Sequence, residues 1–221
     1  MLPGWPFTKG KRPRRGLAAL ASWVHQREGE LAATDALLDG RASLDLQAGV
    51  ALAALAARAK QGDIGAAAGL VSLGNRLQES LSIKRRDNLE QAIACYLRAL
   101  EVYTRAAFPV DWATTQNNLG ITYRNRIAGE RRDNLEAAIA CYQRALEVYT
   151  REAFPVQWAT TQNNLGNTYR DRIAGERRDN LEAAIACYQG ALEVYTADGF
   201  PHEHSVVMRG LAAAEDALRG L

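Results

Sequence analysis

Aromatic residues are scarce, at 7% of 221 positions, while alanine and leucine abound, a balance that favours packed helices over sheets. Cysteine is scarcer still. The three present (Cys95, Cys141, Cys187) exclude a disulfide framework. No apolar run approaches the roughly 18 residues needed to span a bilayer, which excludes a transmembrane helix and argues against a membrane partner. Nor does charge of one sign prevail, since 27 basic residues face 25 acidic ones. Five of the bases (Lys9, Lys11, Arg12, Arg14, Arg15) lie among the first fifteen residues, where there is no acid. The rest of the chain therefore carries a net charge of −3 and is not a polyanion binder by bulk charge. Also missing are a glycine-rich phosphate loop, a nucleophile elbow and a helix-borne His-Glu-x-x-His pattern. No motif for catalysis or for a cofactor remains. With 48% hydrophobic and 24% charged residues the composition is that of a soluble chain, for which a cytoplasmic location is expected.

What is abundant is repetition. FPVDWATTQNNLG begins at Phe108 and FPVQWATTQNNLG at Phe154, and RRDNLE recurs at Arg85, Arg131 and Arg177, all with a spacing of 46. Residues 108–153 and 154–199 differ at seven positions, and the earlier copy 62–107 keeps the second half while its first half has drifted. A period of this size means stacked supersecondary units, each unable to bury its apolar face alone.

Each unit reads as two helices. The first opens at Pro109, suited to the first helical position, and runs through Trp112, Leu119 and Tyr123 toward Ile127. A link over Gly129–Arg132 follows, then Asp133 as an N-cap with Glu136 completing a capping box. Leu135, Ile139, Tyr142, Leu146 and Tyr149 continue at helical spacing. Short polar turns make each pair antiparallel. The fold expected is an all-α solenoid of stacked antiparallel helix pairs.

The spacing within the unit resembles the tetratricopeptide repeat. Leu119, Gly120 and Tyr123 match its first helix, and Ala138, Tyr142 and Ala145 its second. Leu165, Gly166, Tyr169, Ala184, Tyr188 and Ala191 repeat the match, and Leu73, Gly74, Ala92, Tyr96 and Ala99 give an earlier copy in which Leu77 replaces the aromatic. The resemblance covers three repeats, 62–107, 108–153 and 154–199. The unit is longer than the family's usual length of about 34. In this long form it is similar to kinesin light chain repeats and to the arrays attached to bacterial caspase-like CHAT proteases, although no protease domain is present. The resemblance implies a right-handed superhelix whose first helices line a concave groove that binds a protein or an extended peptide.

Outside the repeats, residues 1–16 read as a basic flexible tail. Residues 17–24 could form the apolar stretch of an export signal, but His25 to Glu28 follow at once without a small-residue cleavage site, so export is disfavoured. Residues 17–61 read as an N-terminal helical hairpin of helices over 17–38 and 43–60, with a break at Gly40, Ser43 capping its second helix, and Leu44, Leu52, Leu55 and Ala59 packing on the first repeat. Residues 200–221 read as a C-terminal capping helix after Pro201.

The three cysteines are copies of one second-helix position, read as a small core residue, and the His202–His204 pair supplies too few ligands to specify a metal. Arg85-Arg86, Arg131-Arg132 and Arg177-Arg178, with Arg124, Arg126, Arg170 and Arg172, could form a stripe that tracks phosphates. Glu130, Glu176, Asp133 and Asp179 interleave with them, which disfavours nucleic acid and makes ordinary surface ion pairs the alternative.

The asparagines are the sharpest signal. Gln116-Asn117-Asn118 and Gln162-Asn163-Asn164 lie mid-helix, where Asn competes for backbone hydrogen bonds and needs a compensating reason. By the resemblance these positions face the groove, where Asn118 and Asn164, with Asn167 and Asn75 one turn later, could pair amides with an extended peptide backbone. Arg124 and Arg170 could bind acidic side chains or a carboxylate bidentately. Ile121 replaces the equivalent of Asn167, so the ladder is incomplete in that unit. The alternative is that these asparagines bond between neighbouring repeats and staple the stack.

Three functional classes follow: a non-catalytic protein-interaction scaffold, a structural spacer or self-associating regulatory arm of a larger effector assembly, and a nucleic-acid adaptor led by the basic tail. The shape is directly testable. Units that touch only their neighbours make an elongated particle, so small-angle scattering should give a radius of gyration above the roughly 17 Å of a compact chain this long. Circular dichroism should be almost entirely helical.

Overall fold

The computed structural model describes residues 44–80 and 84–221, without the side chains of 44–47. The basic tail, the first helix expected for the hairpin, the break at Gly40 and the Ser43 cap lie outside the described residues. Within them are eight helices and no strand: α1 (Leu44–Ala59), α2 (Ile64–Glu79), α3 (Arg85–Ala99), α4 (Pro109–Asn125), α5 (Arg131–Leu146), α6 (Pro155–Asp171), α7 (Arg177–Leu192) and α8 (Pro201–Arg219). Each helix packs on its sequence neighbours, and the remaining contacts join helices next but one. The fold is an all-α solenoid of helix pairs: α2–α3, α4–α5 and α6–α7, flanked by α1 and α8.

The turns that start α4, α6 and α8 are built alike. Pro109, Pro155 and Pro201 occupy first-turn positions where a missing N–H costs nothing. The preceding phenylalanines make no cap bond. Instead Phe108, Phe154 and Phe200 pack edge-on against Tyr103, Tyr149 and Tyr195 at centroid distances of 5.6, 5.6 and 5.3 Å. Thr104, Thr150 and Thr196 accept backbone N–H bonds from Ala107, Ala153 and Gly199 through their hydroxyls, fixing the chain between ring and ring.

Inside each pair the two backbones approach at a glycine. A Cβ placed on Gly74, Gly120 or Gly166 would lie 2.8, 2.7 or 3.0 Å from the ring of Tyr96, Tyr142 or Tyr188. These three rings are buried, as are Ala92, Ala99, Ala138, Ala145, Ala184 and Ala191 on the same helices. Small side chains let the second helix settle close, and the tyrosine fills the space that remains. Leu55 and Ala59 of α1 are buried in the cluster that contains Leu70, Leu73 and Tyr96, so α1 closes the first pair. At the other end α8 takes the place of a further first helix, with Val207 and Ala214 buried and Gly210 against the far side of Tyr188.

The link within each pair differs from the sequence-based expectation. Helix α4 ends at Asn125 and α5 begins at Arg131, so Asp133 sits inside the first turn and caps nothing through its side chain. Glu136 binds Arg172 of the next repeat. What closes the link is Asn134, which is 3% exposed. Its Nδ2 donates to Ala128 O at 2.8 Å, and its Oδ1 accepts from Arg126 at 3.3 Å. Asn180 repeats both bonds in the third unit. Gly129 (φ 73°) and Gly175 (φ 76°) supply the left-handed residue that this tight link requires.

The glycine contact generates a stability test. Gly120→Ala gains about 1 kcal/mol of helix propensity but overpacks the Tyr142 ring, which costs about 1–3 kcal/mol. The midpoint of urea unfolding should fall. A raised midpoint would show that the ring yields freely.

Candidate binding groove

Helices α2, α4 and α6 are the first helices of the three pairs, and they touch one another along the stack. Among the described residues, the second helices α3, α5 and α7 make no contact with each other. The first helices therefore form the more closely spaced layer, the inner side of a curved stack. All eight candidate residues lie on this layer.

At the junction of the first and second repeats, Asn118 Nδ2 donates to Asn75 Oδ1 at 3.0 Å, and the Tyr96 hydroxyl donates to the same oxygen at 2.8 Å. One turn on, the Thr122 hydroxyl donates to Gln78 Oε1 at 2.5 Å. At the next junction Asn164 Nδ2 reaches Asn117 Oδ1 at 3.4 Å, as does the Thr161 hydroxyl. The donor position is the same at both junctions, but its acceptor moves back one turn. The sequence explains the shift: where Asn75 has become Ile121, Val71 has become Asn117. An amide link is preserved by paired replacements four residues apart.

The third junction breaks the series. The positions that would meet Asn163 are Val207 and Gly210 in α8, and the Asn163 side chain has no partner among the described residues. Asn167 turns inward, its Oδ1 accepting from the Tyr188 hydroxyl at 2.9 Å. Burial pushes that phenol up to about 12.

Arg124 and Arg170 converge on one carboxylate. Arg124 Nη2 donates to Asp171 Oδ2 at 2.8 Å and Arg170 Nε to Asp171 Oδ1 at 3.4 Å, all three side chains being 28–29% exposed. The Nε of Arg124 is buried without a partner. Two guanidinium groups against one carboxylate leave a net positive charge on the groove. Asp171 was missed by sequence reasoning, although it is one of the seven positions that distinguish the copies and stands where the second repeat has Asn125.

Five of the other eight arginines of the stripe are engaged elsewhere, while Arg86, Arg132 and Arg178 are exposed. Arg126 forks onto Glu90 at 2.8 and 2.7 Å, and Arg172 onto Glu136 at 2.7 and 2.8 Å, each pair joining neighbouring repeats. Both guanidinium groups also stand about 6 Å over the rings of Tyr123 and Tyr169. Arg85, Arg131 and Arg177 donate to the last-turn carbonyls of Gln78, Arg124 and Arg170, satisfying helix ends. The carboxylates that clamp Arg126 and Arg172 are thus Glu90 and Glu136 rather than Glu130, Glu176, Asp133 or Asp179.

Cys95 and Cys141 are buried and Cys187 is half-buried. Burial raises their thiols to about 12, 11 and 12, which keeps them protonated and poorly nucleophilic. Among the described residues no cluster of three His, Cys, Asp or Glu side chains forms, and no helix is long and apolar enough to cross a membrane. No protein-family model matches the chain, and no curated protein matches it.

The Arg–Glu clamps predict a pH dependence. The hydrogen bond from Arg126 holds Glu90 below the ordinary carboxyl value of 4.5, and Arg172 does the same for Glu136. A carboxyl lowered in the folded state stabilises it above its unfolded value and loses that contribution as pH falls through its folded value. Stability should therefore decline below about pH 4.5. Replacing both Arg126 and Arg172 by Ala should flatten that decline in thermal melts, and an unchanged slope would remove the clamps as its source.

Proposed function

We propose that this chain is a non-catalytic protein-interaction scaffold whose first-helix face holds an extended, acidic segment of a partner protein. One observation carries the reading: Arg124 and Arg170 share the single carboxylate of Asp171, and both guanidinium groups remain partly exposed. Asp171 balances only one of the two guanidinium charges, so a ligand carboxylate at the partly exposed Arg124 and Arg170 heads would pair the other. Asn163, the end of the amide ladder, offers both a donor and an acceptor about two turns earlier on the same helix as Arg170. A cytoplasmic setting and the tetratricopeptide resemblance are parts of the same proposal.

A specific observation favours a second reading for the other asparagines. The Asn118–Asn75 and Asn164–Asn117 bonds run between repeats, as stapling requires. In that reading the array is a spacer or regulatory arm whose ladder serves stability.

The two separate by variant. Asn163→Ala should hold or slightly raise the melting temperature, since Asn costs up to about 0.7 kcal/mol of helix propensity relative to Ala. It should also weaken binding of a fluorescent Asp/Glu-rich extended peptide, by about 0.5–1.5 kcal/mol in polarisation titrations. Replacing Arg124 and Arg170 together by Ala should cost more and leave the residual affinity less salt-dependent. If no acidic peptide binds, while Asn118→Ala with Asn164→Ala unfolds the array early, the spacer reading prevails.

A further inference from the structure

A cleft of about 560 Å³ opens where the turn after α5 meets the start of α6 and the end of α7. Trp158 and Gln162 line it beneath Gly190, where a Cβ would stand 3.3 Å from the Trp158 ring and 4.0 Å from Gln162 Cδ. Arg151, Glu152 and Glu193 complete its charged lining.

The second repeat supplies an internal comparison. Forty-six positions earlier every lining residue is the same except two: Arg144 stands in place of Gly190, and Ala106 in place of Glu152. Both differences act in one direction. The third repeat loses an arginine at this position and gains a carboxylate, so the formal charge of the lining positions goes from +1 to −1. In the repeat that keeps its own arginine, Gln116 is 5% exposed and its Oε1 is buried without a donor. In the third repeat the equivalent Gln162 is half-buried and lines the open cleft. Arg151 is bound to Glu193, which leaves the Glu152 carboxylate without an ion-pair partner among the described residues.

We propose that this cleft receives an arginine side chain presented by a partner protein, drawn to the Glu152 carboxylate beside the tryptophan that the absent side chain of Gly190 leaves open. The aliphatic stem lies over Trp158, and the planar guanidinium meets the ring and the Glu152 carboxylate. A lysine, with a compact and strongly hydrated ammonium, covers neither ring nor fork geometry as well. The cleft uses none of the ladder residues, so this inference stands apart from the groove reading.

The test follows the indole N–H of Trp158 by heteronuclear NMR on the full chain, assigned with Trp158→Phe. The probes are N-acetyl-arginine amide and its neutral isostere N-acetyl-citrulline amide. The arginine amide should shift the Trp158 signal saturably, leave Trp112 in place and bind about two- to fivefold more tightly than the citrulline amide. Gly190→Arg, which restores the residue found at Arg98 and Arg144, should abolish the shift. Glu152→Ala, which restores the residue found at Ala106, should weaken it about two- to fivefold and decides the matter if the glycine variant fails to fold. Equal binding of the two amides, an equal response of Trp112, or the absence of any saturable shift would overturn the proposal.

Discussion

The contact of a tyrosine ring with a bare glycine backbone is the constraint on which each helix pair depends. Gly74, Gly120 and Gly166 have no room for a Cβ, because the ring of Tyr96, Tyr142 or Tyr188 already fills the position. The contact sets the distance between the two helices of a pair and aims each phenolic hydroxyl at the first-helix layer. There Tyr96 reaches Asn75 and Tyr188 reaches Asn167. The packing of the core and the position of the ladder are therefore one decision, taken at the same ring.

Between pairs the forces differ in kind. The Arg126–Glu90 and Arg172–Glu136 forks are bidentate and rest on tyrosine faces, which gives them fixed geometry even though they are partly exposed. The Arg105–Glu147 and Arg151–Glu193 pairs repeat at a more exposed level, where screening leaves them worth little. Each of these links needs a neighbour, so they end with the repeats. Leu218 of α8 stands where the next forked arginine would fall, and α8 meets the stack through Val207, Gly210 and Ala214 instead.

Near-identity of the second and third repeats makes their few differences informative. Asn125 becoming Asp171 gives Arg124 and Arg170 a common partner. Arg144 becoming Gly190 opens a cleft over Trp158. At Ile121 it is the second repeat that departs, since Asn75 and Asn167 both accept from the tyrosine hydroxyl of their own repeat. The other two changes lie in the last repeat, where the array meets its terminal helix.

The sequence by itself determined the repeat, its period of 46, the two helices per unit and the proline that starts each first helix. These are local matters of periodicity, helix propensity and backbone restriction, and all can be read along the chain. It also showed that Asn118 and Asn164 need a reason to sit mid-helix. What supplies the reason was decided only by tertiary structure, because the partners of Asn118 and Asn164 lie 43 and 47 residues away on a neighbouring helix. The capping expectation at Asp133 failed because the helix begins two residues earlier, at Arg131, so that Asp133 falls inside the first turn, as Asp179 does in the next repeat. Glu136 pairs instead with Arg172, a charged fork 36 residues distant that only the stacking of repeats brings within reach.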